Sequence, residues 1–445
     1  PGPENRLRGV LQKGRPYFFG SRAWRSFNLR SAANLRAYVL MKNRRLETEI
    51  VLAEKCWQRT SARYSGNDRR LLKPAHRLAR LYYQAGKHLQ ALPLFRRCLE
   101  IYDSQNMRDE KLLDSILKNL AIVWSMDGKY QEAIPLFNRL LALREGRRGP
   151  EHLEVAEVFC HLGTVFRSLH RKQESQEMFH RSLAIAQKQG GKARQILSLI
   201  YANLTAIYRE QGDKDRALDC CLRSIEMEEK LSGPESPKLA IRYNNLGRLY
   251  LDLGDRDRAE ECYLKSYQMR SRLLGMFHPD MVHSLVNLGD LYLGKQDYEK
   301  AERYLFQAMA VAEKTLSPGD PMVGFVKYHM ANLMTARGFY ETAEGYYRQA
   351  LEIVVKAMGP DFPDVASIHL RLGELFQKNG LWKMALDELE QAVEIFQKAG
   401  GPDSSGAAEA LRLMAASYRE MGRQDLAREC LARAEGQTTK GEEDR

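Results

Sequence analysis

No apolar stretch in this 445-residue chain approaches the roughly 18 residues that a membrane-crossing helix needs, so no span is expected. Cysteine is sparse and unpatterned. The seven residues Cys56, Cys98, Cys160, Cys220, Cys221, Cys262 and Cys430 are odd in number and form no C-x-x-C. That argues against a disulfide framework or a zinc site, and predicts small buried core residues in a reducing compartment. Catalytic signatures are missing as well. Gly86-Lys87, Gly128-Lys129 and Gly190-Gly191-Lys192-Ala193 lack the Ser or Thr that completes a phosphate loop. His278 and His283 stand five apart, off one helical face, and no third metal ligand follows. No serine nucleophile motif occurs. The chain reads as a non-enzyme with no cofactor and no metal.

Acidic residues are nearly absent from one segment only. Residues 1–46 hold eleven Lys or Arg and a single acid, Glu4, so +10 of the net +12 resides there. The remainder is almost neutral, which argues against a specific nucleic-acid-binding surface along it. The Arg-rich, Ser-containing beginning suits a mitochondrial presequence, a linker or a basic docking arm.

What the sequence does have is a period. Leu78, Leu120, Leu162, Leu204, Leu246, Leu288, Met330, Leu372 and Met414 stand 42 residues apart, nine times without a slip. Thirteen residues after each comes a small one: Ala91, Ala133, Ser175, Ala217, Ala259, Ala301, Ala343, Ala385 and Ala427. A fixed period of this size predicts stacked copies of one supersecondary unit. Residues 243–263 show the unit best. Leu246, Leu249 and Tyr250 recur at helical spacing and define helix A. Gly254 ends it at a position needing positive φ, as do Gly86, Gly128, Gly212, Gly338, Gly380 and Gly422 in their repeats. His170 and Gln296 replace that glycine, so those two turns are expected to be strained. Helix B then crosses helix A closely at the small residue.

Gly149-Pro150, Gly233-Pro234, Gly359-Pro360 and Gly401-Pro402, with Ser317-Pro318 as a variant, separate the repeats. His278-Pro279-Asp280 and Phe362-Pro363-Asp364 put proline near a first helical turn. Pro93 and Pro135 are expected early in helix B, ahead of the first needed backbone donor. The organisation expected is a basic flexible extension over 1–29, a helical cap over 30–70, nine repeats over 71–435, and a polar disordered tail over 436–445. Leu426, Cys430 and Leu431 on the last helix are expected to be partly exposed, favouring end-to-end self-association.

The pattern L-G-x₂-Y, then Ala, then an aromatic, resembles the tetratricopeptide repeat. The linker at residues 359–366, and the triplets Asn245-Leu246-Gly247 and Asn287-Leu288-Gly289, are similar to the 42-residue repeats of kinesin light chains and nephrocystin-3. The resemblance covers residues 71–435. It implies an all-α, right-handed α-solenoid of nine tetratricopeptide helix pairs with an N-terminal helical cap. It also implies a protein–protein scaffold or adaptor whose A helices line a concave groove. The cytoplasm is the compartment it implies, with cytoskeletal or ciliary sites included and the mitochondrion as the alternative. Two other roles fit the same repeats: the sensing and autoinhibitory arm of a larger signalling ATPase, and an organellar assembly factor.

By the same resemblance, the residue before each helix A leucine faces the groove. These are Arg77, Asn119, His161, Asn203, Asn245, Asn287, His329, Arg371 and Leu413. Asn suits a peptide because its amide offers donor and acceptor together; the alternative is an Asn that ties helices to each other. Slots two and five residues either side of the leucine add Lys73, His76, Arg80, Lys118, Arg167 and Arg209 in the first four repeats, against the acid Glu157. In the last four, Asp290, Glu374 and Glu409 mix with Lys378, Arg412 and Arg419. The peptide-binding set expected is Lys73, Arg77, Lys118, Asn119, His161, Arg167, Asn203, Arg209, Asn245 and Asn287. Its partner is expected to be a protein or peptide of acidic character, and a solvated basic face is the alternative.

Overall fold

The computed structural model describes residues 45–400 and 405–443, and the described residues form helices and turns without a strand. A first helix, α1, covers residues 45–63. Eighteen more follow as alternating A and B helices. The A helices are α2 (Leu72–Gln84), α4 (Glu110–Met126), α6 (Leu153–Ser168), α8 (Arg194–Glu210), α10 (Pro237–Asp252), α12 (Met281–Gly294), α14 (Pro321–Ala336), α16 (Pro363–Lys378) and α18 (Ser405–Glu420). The B helices are α3 (His88–Ser104), α5 (Tyr130–Arg148), α7 (Lys172–Lys188), α9 (Lys214–Ser232), α11 (Arg256–Leu274), α13 (Tyr298–Thr315), α15 (Tyr340–Met358), α17 (Trp382–Gly400) and α19 (Gln424–Glu443). The long period is taken up by helix length, with B helices reaching 19 or 20 residues. The chain divides into two compact units between Leu253 and Gly254. Unit 1 holds α1 to α10 and unit 2 holds α11 to α19. Within each, consecutive helices pack in chain order as a helical solenoid.

The 42-residue ruler marks the core. All nine ruler residues are at most 5% exposed, and the nine small residues thirteen positions on are at most 1% exposed. Ser175 fits the alanine slot because its hydroxyl donates to Gly163 O at 2.7 Å, so no buried polar group is left unpaired. The glycine after the ruler residue is a close-approach site. A Cβ on Gly373 would lie 2.5 Å from Leu389 Cγ, and one on Gly289 would lie 2.6 Å from Leu305.

The turn chemistry follows expectation. Each predicted turn glycine has positive φ, between 71° and 82°, while His170 and Gln296 take 57° and 61° in the same slot. A side chain in that left-handed region costs about 1–2 kcal/mol. In unit 1, Asp213 caps α9 by accepting from Arg216 N. In unit 2, Asp255 and Asp297 cap α11 and α13 through Arg258 N and Lys300 N. Gly149, Gly233 and Gly359 end α5, α9 and α15 with positive φ, and Gly275 does the same for α11 without a following proline. Pro363 opens α16, whereas Pro279 stands ahead of α12. The Gly401-Pro402 linker lies outside the described residues.

Several expectations need correction. Pro93 and Pro135 are each the sixth residue of their helix, past the turn whose donors are free, so each removes a real hydrogen bond. Both prolines are exposed, which leaves the abandoned carbonyls of Leu89 and Gln131 at the water-facing side. Six cysteines are buried, but Cys56 is exposed on α1. Burial pushes the thiols of Cys98, Cys160, Cys220 and Cys221 up to about 12, so they are inert packing groups. The final helix runs to Glu443 instead of yielding to a disordered tail at Gly436, since no proline interrupts it. Cys430 is 5% exposed, and Leu426 and Leu431 are half-buried. Of the expected cap, α1 packs Ile50 and Ala53 with Leu78 and Leu81, and Glu54 accepts from the Tyr82 hydroxyl at 2.7 Å. Residues 1–44, which carry the basic extension and the start of that cap, lie outside the described residues.

Candidate functional site

Within each unit the A helices draw together. α2 approaches α4 and α6 approaches α8 in unit 1; α12, α14, α16 and α18 do so in unit 2, and among the described residues no two successive B helices come as close. A stack that is tighter along its A side bends toward that side, which makes the A face the inner one. Side chains also bridge neighbouring A helices. His76 Nε2 lies 3.0 Å from Ser115 Oγ, and Lys118 donates to Glu157 Oε1 at 2.9 Å. Asp290 lies 2.6 Å from His329 Nδ1, and Gln377 donates to Leu413 O at 2.6 Å. These bridging residues among the groove slots read from the sequence thus lie between neighbouring A helices.

On unit 1 this face begins with a basic strip. Lys73, Arg77 and Arg80 sit at i, i+4 and i+7 on α2, all exposed, and none has a carboxylate partner among the described residues. Beside them His76 is pushed down to about 4 by burial, and then by Arg80, so it is neutral at physiological pH. Lys118 differs from the three, because its charge is engaged by Glu157. Asn119 donates to its own helix at Ser115 O (2.7 Å), and Asn203 does the same to Leu199 O (2.9 Å). Each amide is thereby oriented, with its oxygen still open as an acceptor. Asn245 is exposed on α10. His161 stacks on Phe137 with centroids 5.5 Å apart, and burial lowers its pKa. Arg167 lines an open depression of about 430 Å³ with Ser168, His170, Lys172 and Glu210, and its Nε is buried without a partner. Arg209 approaches Asp252 at 4.0 Å. Asn287 belongs to α12, in unit 2, and is half-buried.

The inner face of unit 2 is more self-contained. Besides Asp290 with His329, Arg371 pairs with Glu374 at 2.6 Å and Glu409 at 3.6 Å. Its three groove carboxylates are all engaged by neighbours.

Two kinds of residue escape a search for charged groove slots. Leu199 and Ile241 occupy the same slot on α8 and α10, five before the ruler leucine, and each is 43% exposed. The other kind is buried. Arg144, Glu228 and Arg270 share the slot 24 residues after the ruler, which the other repeats fill with the uncharged Tyr102, Ala186, Ala312, Val354, Phe396 and Thr438. Arg144 is 3% exposed and reaches both oxygens of Asp114 (2.8 and 3.0 Å), Glu157 Oε2 (2.8 Å) and Glu154 O (2.7 Å). Arg147 extends this network to Glu154 at 2.8 Å. Glu228 accepts from the hydroxyls of Ser198 and Ser232, and Arg270 donates to Asp280 O and Ser284 Oγ. A charge in an otherwise uncharged column is the signal that reveals them. Arg144 thus sits behind Glu157, which in turn holds Lys118.

Among the described residues no group of three or more His, Cys, Asp or Glu could hold a metal ion, and no helix is long and apolar enough to cross a membrane. No curated protein matches the chain in sequence. Among solved structures, the chain is similar to the apo quorum sensor NprR from B. thuringiensis, at 12% identity over 82% of this chain and 98% of that one, TM-score 0.58. It is similar to apo RapI at 15% identity over 84% and 98%, TM-score 0.58. It is also similar to BtubC (BKLC) from P. vanneervenii at 24% identity over 51% and 91%, TM-score 0.44. At these identities the likeness is one of fold. The tetratricopeptide repeat model itself matches residues 112–188, 193–271, 243–314 and 364–436, and a second model of that repeat matches 75–102 and 328–364. Most of the sequence is thus accounted for by one repeat, and the chain belongs to the tetratricopeptide repeat family.

Proposed function

We propose that the chain is a non-catalytic scaffold that holds an extended, acidic peptide segment of a partner protein on the inner face of unit 1. A repeat fold of this family is a platform for protein interaction. The observation that carries the finer reading is the exposed basic strip Lys73, Arg77 and Arg80, without a carboxylate partner among the described residues and set against carboxylates on unit 2 that already have partners. Cations held on a rigid helix face favour carboxylates through charge-assisted hydrogen bonds. Asn119, Asn203 and Asn245 supply amide groups suited to a peptide backbone whatever its side chains. Lys118 takes a ligand carboxylate only in competition with Glu157. His161, Arg167 and Arg209 flank the path on α6 and α8, and Asn287 lies on α12 of unit 2.

The test uses acidic peptides selected by display against the parent chain. Asn203→Ala with Asn245→Ala removes two neutral hydrogen-bonding groups, each worth about 0.5–1.5 kcal/mol. Fluorescence anisotropy should show binding roughly tenfold weaker, with the melting curve unchanged. Unaltered affinity for every selected peptide would remove the asparagines from the site.

A further inference from the structure

Leu199 and Ile241 leave exposed apolar area at slots that the first three repeats fill with polar residues. They hold register-equivalent places on α8 and α10 of unit 1, and each is 43% exposed. In the first three repeats the same slot holds Lys73, Ser115 and Glu157. On α8 the neighbouring inner-face positions are Ala202 and Ala206, both half-buried and too short to rise over Leu199. Asn203 beside them points its amide back to Leu199 O instead of covering the side chain. An exposed aliphatic pair of this kind gains free energy by covering, about 25 cal/mol per Å² of apolar surface removed from water.

The apolar pair and the basic strip stand at opposite ends of unit 1's inner face, α2 at one and α8 with α10 at the other. Between them α4 and α6 present mostly engaged or neutral groups, Lys118 held by Glu157, Asn119, and His161 stacked on Phe137, with Arg167 as a further cation in the last turn of α6. We propose that this face recognises a bipartite peptide, with an acidic cluster at one end and a pair of aliphatic residues at the other, joined by a spacer of indifferent sequence. The proposal rests on the reading of this face as a peptide groove and adds the ligand's composition and spacing. Neighbouring helix axes lie about 8–10 Å apart. Three to four steps separate α2 from the apolar pair, on the order of 30–35 Å. An extended chain advances about 3.3 Å per residue. The acidic and aliphatic parts are therefore separated by about nine to eleven residues. The basic strip selects the acids by charge, and the apolar pair selects the aliphatic end by burial.

The probes are fluorescein-labelled peptides carrying three Glu, a Gly-Ser spacer and Leu-Leu, with spacers of four, ten and sixteen residues and in both chain directions. A peptide with the three Glu and a spacer but no Leu-Leu is the fourth probe. In anisotropy titrations of the whole chain, the ten-residue spacer in one direction should bind at least tenfold more tightly than the acid-only and four-residue peptides. Leu199→Ser with Ile241→Ser should abolish that advantage while leaving the acid-only affinity unchanged, which also shows the variant to be folded. Binding independent of spacer length and Leu-Leu, or a double variant that retains the full advantage, would overturn the proposal and leave the acidic groove standing. Binding of the aliphatic peptides that survives Lys73→Glu with Arg77→Glu would overturn the bipartite mode in favour of a purely apolar site. Absence of binding by every probe, the acid-only one included, would count against both the groove and the bipartite ligand.

Discussion

Arg144→Ala is expected to lower the stability of unit 1 by about 3–5 kcal/mol at neutral pH, the usual consequence of removing one partner from a buried ion pair. The guanidinium is 3% exposed, and its loss leaves Asp114 with only the longer contact to Arg147 at 3.2 Å and Glu157 with only Lys118 at 2.9 Å. Replacing the whole group with apolar residues of similar volume (Asp114→Leu, Arg144→Met, Glu157→Leu) should cost less, because no buried charge is left without a partner: Arg147 keeps Glu154, and Lys118, which loses Glu157, is partly exposed to water. The pH dependence distinguishes this cause from simple loss of packing. Burial alone would raise the Glu157 carboxyl, but hydrogen bonds and charge from Lys118 and then Arg144 hold it below the ordinary carboxylate range. A carboxyl depressed in the folded state stabilises the fold above its unfolded pKa, about 4.3, and loses that contribution as the pH falls further. The gap between parent and Arg144→Ala should be full at pH 7 and shrink below about pH 4. Urea unfolding followed by circular dichroism at several pH values measures this. A gap that does not change with pH would assign the arginine a packing role only.

The second large effect concerns the ligand. Lys73→Glu with Arg77→Glu replaces two exposed cations by anions on one face of α2. Neither residue has a carboxylate partner among the described residues, so the fold should be indifferent. Hydrogen bonds to charged groups are worth about 1.5–3 kcal/mol, and exposure places these at the lower end. Losing two of them corresponds to roughly a hundredfold loss in affinity for a Glu-rich peptide at low salt. The difference should narrow at 0.5 M salt, where screening is effective within a few ångströms. Anisotropy at both salt concentrations reads both effects. Equal affinity in parent and variant would show that the basic strip is merely solvated.

The parts of the fold that repeat were legible in the sequence, because each slot is sampled nine times. The ruler leucines, the alanines at the close crossing, the positive-φ glycines and the strained His170 and Gln296 all follow from one column each. What was not legible depends on departures from the column. Pro93 and Pro135 look tolerable at a helix start, and only the observed start of α3 and α5 places them one turn deeper. Arg144 was missed because its slot sits on helix B, away from the groove positions, and because its value as a charge depends on Asp114 thirty residues earlier. Leu199 and Ile241 look like core residues in any hydropathy reading, yet each is 43% exposed. Charge on the inner face was visible as composition, but pairing was not. Lys118 and Arg77 look alike in sequence, and only Lys118 has Glu157 across the helix boundary.

The central claim is that ligands lie on the inner A-helix face of unit 1. Hydrogen–deuterium exchange of the whole chain, with and without a saturating acidic peptide selected against it, tests that claim most directly. The account predicts new protection concentrated in α2, α4, α6, α8 and α10, with the B helices of the same unit unchanged. Protection confined to the B helices, or to the loops between repeats, would contradict it.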